Sequence, residues 1–114
     1  MGSEETEAAY RAIFDATSDG LVINDPDTGL VLEANPAFCR MHGWDAMVGL
    51  HPAAFIHPAS FALFEQYVDT VKQGGEFRRR AQDLRKDGSV FDVEVYGRGF
   101  TYKGKPALLG VVRD

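Results

Sequence analysis

The dipeptide Asp87-Gly88 lies between two stretches that read as strands, and it constrains this chain more than any other feature. Asp-Gly suits a type I′ turn, whose backbone twist matches that of the two strands it joins. Downstream, Phe91, Val93 and Val95 point one way, while Asp92, Glu94 and Tyr96 point the other. Upstream, Phe77 to Leu84 reads as the partner strand. A period of two leaves one face apolar, so this end of the chain must form an antiparallel sheet with one side in need of cover.

The middle of the chain supplies the cover. Residues 58–73 are predicted to form the clearest helix. Pro58 suits its first position, Phe61, Phe64, Val68 and Val71 make an apolar stripe, Lys72 stands in the last turn and Gly74 stops it. Pro36 opens a shorter helix through Phe38, Met41 and His42, ended by Gly43. Asp45 is expected to cap another short turn that Gly49 closes, and residues 50–57 suggest a brief turn or loop. Nearer the start, Leu21-Val22-Ile23 and Leu30-Val31-Leu32 form a hairpin around Asp25-Pro26-Asp27-Thr28-Gly29. Near the end, Lys103-Gly104-Lys105-Pro106 turns again. Leu108 to Val112 is apolar on both faces apart from Gly110, which fits a central strand covered on its second side. At the N-terminus, Ser3 is placed to cap a helix with Glu4, Glu5 and Glu7 in its first turn, and Ala9, Tyr10, Ile13 and Phe14 follow on one stripe. Such a helix, ending near Thr17, is marginal alone and needs a partner for its stripe. The order predicts an α+β domain with helices on one face of an antiparallel sheet. Residues 1–17 are expected to be a flanking helix, with Met1-Gly2-Ser3 reading as an expression scar, and residues 18–114 the core.

A chain of 114 residues, 45% hydrophobic and 25% charged, is long enough for one domain with a real core. Its net charge of −5 is uneven: residues 1–45 hold nine acids and two bases, residues 46–114 eight acids and ten bases. The only basic run, Arg78-Arg79-Arg80, stands between Glu76 and Asp83 and reads as strand surface, so no nucleic-acid partner is expected. Cys39 is the single cysteine, which rules out an internal disulfide. With no signal peptide, it points to the cytoplasm. No apolar stretch approaches the roughly 20 residues that span a bilayer, so no membrane contact by this domain is expected.

Several short motifs, in order, resemble the PAS family. Asp19-Gly20-Leu21-Val22-Ile23 is similar to its first strand. Val31 to Asn35 followed by Pro36-Ala37-Phe38 resembles its step from second strand to first inner helix. His42-Gly43-Trp44-Asp45 with Val48-Gly49, Ile56-His57-Pro58, Arg85-Lys86-Asp87-Gly88-Ser89, and Gly110-Val111-Val112-Arg113-Asp114 resemble later family stretches. Ala59-Ser60 replaces the acids usual after the histidine-proline pair. The resemblance covers roughly residues 10–114 and implies a five-stranded antiparallel sheet in spatial order 2-1-5-4-3. It also implies a sensory, signalling role rather than catalysis, with a C-terminal output domain such as a histidine kinase, cyclase or transcription regulator that this chain does not contain.

The residues themselves offer no nucleophile elbow, no His-Glu-x-x-His, no Cys-x-x-Cys and no phosphate-binding glycine loop, so no enzyme and no metal site are expected. Aromatic and sulfur side chains are expected around a cavity: Phe38, Met41, Trp44, Met47, Phe55, Phe61, Phe64, Tyr67, Phe77 and Phe91. The same set describes a filled core. Arg79 shares a strand face with Phe77; it either meets a ligand anion or snorkels to water. Family members that bind haem imply His57 or His51 as a possible ligand here, each equally able to cap its turn. Light-sensing members imply a flavin–cysteine adduct, but Cys39 has the wrong neighbours and lies in an earlier helix, so no adduct is expected. The N-terminal stripe of Tyr10, Ile13 and Phe14 is expected to cover the second face of strand 108–112 or to join a homodimer. The functional expectation is a module that binds a small molecule or dimerises. A ligand-free dimerisation module and a haem-based sensor are the alternatives.

Overall fold

The computed structural model describes residues 3–114, with side chains from residue 8 onward. The expected cap at Ser3 and its acidic first turn lie outside the described side chains. The chain runs α1 (Ser3–Ala16), β1 (Gly20–Asn24), β2 (Val31–Ala34), α2 (Pro36–His42), two single 3₁₀ turns (Pro52–Ala54 and Pro58–Ser60), α3 (Phe61–Lys72), β3 (Phe77–Leu84), β4 (Val90–Tyr102) and β5 (Lys105–Arg113). The five strands form one antiparallel sheet in the order β2-β1-β5-β4-β3. This is the expected order, and the strand that is apolar on both faces lies at its centre.

The local chemistry explains most boundaries. The Asn35 side chain caps α2, Pro36 starts it, and Gly43 ends it in the left-handed region at φ 76°. Asp25 Oδ1 accepts from the backbone N–H of Asp27 at 2.8 Å and of Thr28 at 3.0 Å, closing the loop between β1 and β2. Three expectations are corrected. The turn at Asp87-Gly88 is not type I′, because Gly88 takes positive φ, at 90°, and Asp87 does not. Pro58 opens a 3₁₀ turn, and the α-helix proper begins at Phe61. Strands β4 and β5 run much further than the alternation suggested, because Lys103 and Gly104 both take positive φ, at 50° and 80°. That makes a two-residue turn, so pairing continues out to Tyr102 and Lys105.

The sheet has two covered faces. On the inner face, α2, α3 and the turns pack on Val22, Phe91, Val93, Val95 and Val112. On the outer face, Tyr10 and Phe14 of α1 pack with Leu21, Ile23, Ala107 and Leu109. Phe14 is fully buried, whereas Ile13 is 69% exposed. Successive helical residues turn by about 100°, so a helix gripping the sheet through positions 10 and 14 carries position 13 away from it. Ile13 therefore does not share the packed stripe. The start of β1 and the end of β5 lie side by side, with Gly20 opposite Val112, and Arg113 Nε meets Asp19 Oδ1 at 3.3 Å.

Close approach of α3 to the sheet depends on Gly97. A β-carbon there would fall inside the Tyr67 ring, which lies over it. At Gly99 the nearest atom to such a carbon is Val71 Cγ1 at 3.5 Å, an ordinary contact. We expect Gly97→Ala to cost about 1–3 kcal/mol in urea unfolding, and Gly99→Ala to stay within about 0.5 kcal/mol of the parent. Equal effects of the two would show that Tyr67 does not hold α3 against the sheet.

Candidate functional site

Between the inner sheet face and α2, α3 and the 3₁₀ turns, the side chains leave a cavity of about 60 Å³. Its wall includes Phe38, Phe55, Phe64, Tyr67 and Phe77 from the expected set. Met47 and Phe91 are buried next to it, with Met41 and Trp44 packed against the same cluster, but these four do not border the space. Phe61 is 40% exposed and lies outside it. As the first residue of α3, Phe61 is one turn removed from Phe64, and its side chain stands at the helix rim.

For Arg79 the structure shows the second of the two expected alternatives. The register places it opposite Val95, on the inner face as expected. Yet β3 is the edge strand, and the exposed Arg79 side chain leans over the rim. Its guanidinium donates to Arg78 O at 3.0 Å and stands 5.8 Å from the centre of the Phe77 ring. It does not reach into the cavity, so it offers no anion site there. Arg78 pairs with Glu94 at 3.7 Å across the same strand pair.

The two turn histidines cap their own turns. His51 Nδ1 accepts from Ala53 N–H and His57 Nδ1 accepts from Ala59 N–H, each at 3.1 Å. Neither borders the cavity. A space of about 60 Å³ lined by neither histidine does not fit a haem, far below the roughly 300 Å³ at which sites for larger ligands begin. Cys39 is buried on α2 and is not part of the cavity wall. Burial pushes its thiol up, with the Met47 backbone and Arg40 pulling back, so the reactive thiolate is disfavoured. These positions do not fit a flavin adduct either. Among the described residues no cluster of three or more metal-ligating side chains occurs, and no helix is long and apolar enough to cross a membrane.

Three polar side chains on the wall were not foreseen as cavity residues: Asn24, Ser60 and Asp83. Asp83 was legible in principle, since positions 77, 81 and 83 share the inner phase of β3. It pairs with His42, whose ring is completely buried and packed among Phe38, Phe55 and Phe91. His42 Nδ1 lies 2.7 Å from Phe38 O, and a carbonyl only accepts, so Nδ1 carries a proton. His42 Nε2 lies 2.8 Å from Asp83 Oδ2 and shares one proton with it. Burial raises the Asp83 carboxyl above the ordinary range, and His42 pulls it partway back. The pair ties α2 to β3 across the cavity's edge.

A second polar link holds α1 to the outer face. Tyr102 donates its hydroxyl to Glu33 at 2.6 Å, and Arg11 reaches the same carboxylate at 3.2 Å. Burial alone would raise Glu33, but the bonds from Tyr102 and Arg11 outweigh it and hold the carboxyl below its usual range. Burial and Glu33 push the Tyr102 phenol up to about 12.

A twisted antiparallel sheet of this strand order, with helices on its inner face around a small cavity and a flanking helix on its outer face, defines a sensory-module architecture. The comparisons with known proteins agree. A family model for the PAS domain matches residues 8–82, and the chain belongs to the PAS domain family. It is 26% identical, over 97% of its length, to the methyl sulfide methyltransferase-associated sensor of Methanosarcina acetivorans, and spans 11% of that protein. The PAS domain of an HTR-like protein from Haloarcula marismortui superposes with a TM-score of 0.79 at 25% identity, covering 97% of this chain and 93% of the other. A domain of a sensory box sensor histidine kinase/response regulator from Geobacter sulfurreducens gives 0.78 at 25% identity, covering 96% and 94%. The chain is thus a PAS sensory domain with relatives in sensor proteins.

Two measurements check the polar links. Asp83→Ala leaves His42 buried without its partner and should cost about 3–5 kcal/mol, whereas Asp83→Asn, which can still bond Nε2, should cost about 1 kcal/mol. The folded chain holds the Asp83 proton more tightly than the unfolded chain. This contribution is therefore full at low pH and is lost as pH rises through the raised value. Urea unfolding across acid pH should show that slope in the parent and not in Asp83→Asn. For Tyr102 the sign is the same and the window alkaline: its contribution is present below pH 10.0 and lost toward about 12. Tyr102→Phe should lose about 1 kcal/mol at neutral pH and should no longer show this alkaline loss.

Proposed function

We propose that this domain senses a small molecule in the inner cavity and relays its presence from α2 to α1, for an output domain carried elsewhere in a longer signalling protein. The single observation that carries the reading is the Asn35 side chain, fully buried between the cavity side and the flanking helix. Its Oδ1 accepts from Phe38 N–H and Leu21 N–H, each at 2.9 Å, and its Nδ2 donates to Phe14 O at 3.0 Å and Asp19 O at 2.9 Å. Phe38 borders the cavity, and Phe14 is the residue by which α1 grips the outer face. A shift of α2 on ligand binding therefore acts on α1 through one side chain. Sensing of this kind requires the ligand to bind the two arrangements with different affinity. That the Methanosarcina relative is named a sensor supports the reading. The output, whether a histidine kinase, a cyclase or a transcription regulator, is part of the proposal, and the lone Cys39 supports a cytoplasmic setting.

A second reading is dimerisation through α1, with or without a ligand. It is favoured by Ile13, which stands 69% exposed on the helix whose other face is docked. Haem sensing through His51 or His57 has no geometric support here.

Xenon is a suitable occupant for the test, because small cavities with apolar walls take it up. In amide NMR spectra under xenon pressure, Gly110 and Val95 should shift first-hand, and Phe14 should shift with them. In Asn35→Asp, whose carboxylate cannot donate to Phe14 O or Asp19 O, the inner shifts should persist and the Phe14 shift should vanish. A Phe14 amide that stays still in the parent while the cavity fills would defeat the relay. Light scattering with and without residues 3–17, and on Ile13→Glu, tests the second reading; unchanged mass in both would remove α1 from any dimer.

A further inference from the structure

The cavity wall restricts what the site can hold, and the inference that follows rests on reading this cavity as the sensing site. Tyr67 is 4% exposed, and among the described residues its hydroxyl has no hydrogen-bond partner. The ring lies on the sheet where Gly97 and Gly110 leave it room, and the hydroxyl oxygen stands 3.6 Å from the place a β-carbon on Gly110 would take. A buried hydroxyl without a partner is costly to keep, because it has given up its water and gained nothing. The structure accordingly offers a donor at the wall of the inner cavity.

Charge on the wall narrows the class. Among the described residues no lysine or arginine borders the cavity, and Arg79 lies outside it. Asp83 is the one carboxylate among the described wall residues, and it is already engaged by His42. An anion would be buried beside that carboxylate with no cation to meet it, and a cation would have to compete with His42. Burial raises the Tyr67 phenol well above its ordinary value, so it stays protonated and donates. Ser60 is a second hydroxyl on the wall; its Oγ accepts from Gln82 N–H at 3.0 Å, which leaves its proton to give.

Size narrows it further. A water needs roughly 10–15 Å³ of such space, and a dry cavity of about 150 Å³ accepts benzene. The 60 Å³ here falls between them. We infer that the cavity takes a neutral molecule of a few heavy atoms, apolar over most of its surface, which offers one hydrogen-bond acceptor to the Tyr67 hydroxyl. A short-chain ketone has this chemistry.

The experiment uses three probes on the whole chain: 2-butanone as the neutral acceptor, propionate as an anion of the same size, and xenon as an occupant without an acceptor. Amide shifts of Gly97 and Gly110 report binding. Butanone should bind saturably and propionate should not. Tyr67→Phe should weaken butanone about five- to tenfold and leave xenon uptake unchanged. The variant should melt no lower than the parent, since it removes only an unsatisfied hydroxyl, which guards against misfolding as the cause. Equal butanone affinity in parent and Tyr67→Phe overturns the inference. So does propionate binding as well as butanone, or a hydroxyl satisfied by trapped water alone with butanone excluded; in these cases xenon still binds and the sensing-site reading survives. Silence of Gly97 and Gly110 to xenon and butanone alike overturns the sensing-site reading itself.

Discussion

Four hydrogen bonds made by one amide hold the two faces of this domain in register. Asn35 follows β2 directly and caps α2, so its backbone belongs to the inner layer. Its side chain accepts twice and donates twice, which exhausts the hydrogen-bonding capacity of the group. Two of the partners, Phe14 O and Asp19 O, belong to the helix and linker on the other side. No aspartate, serine or apolar residue could serve all four. Remove the amide and the first turn of α2, the start of β1 and the last turn of α1 each keep a buried backbone group with nothing to bond. The packing of Phe14 on Ile23 and the pairing of β1 with β5 both presuppose this junction.

The two layers joined there differ in kind. The outer face is stitched by partly exposed polar contacts, Arg11 and Tyr102 to Glu33, around a small aromatic stack of Tyr10, Phe14 and Phe100. Contacts of that sort are individually weak and easily rearranged. The inner face carries its polar groups buried, with the His42–Asp83 pair ringed by three phenylalanines. Such a pair is costly to break on one side. The domain therefore keeps its buried ion pair on the inner face and its partly exposed ones on the outer, with Asn35 between them.

Much of the fold was legible in the chain because the signals were local. Asp87-Gly88 and the alternation after it specify a hairpin whatever else the chain does, and β3 ends where the reading placed it. The central position of residues 108–112 followed from their being apolar on both faces. The lengths of β4 and β5 were not legible, because they depend on a non-glycine residue, Lys103, taking positive φ, which its side chain does not advertise. The cavity was harder still. Which aromatics line an opening and which fill a core depends on differences of one helical turn: Phe61 and Phe64 look alike in a periodic pattern, yet one stands at the rim. Arg79 had the right strand phase and the wrong destination, because a long side chain on an edge strand can leave the face its backbone belongs to. Tyr67 was counted as one of ten aromatic and sulfur side chains. Its unpaired hydroxyl becomes visible only when the glycines beneath it are placed.

Antiparallel pairing of β1 with β5 puts the residue that follows the flanking helix beside the residue that closes the sheet, and Asp19 and Arg113 clasp across the gap. Neighbouring strands lie about 4.8 Å apart. The chain consequently enters and leaves the five-stranded core at a single doorway one strand wide. The helix that precedes the doorway and the strand end that closes it are thereby held as neighbours, although nearly a hundred residues of chain separate Asp19 from Arg113.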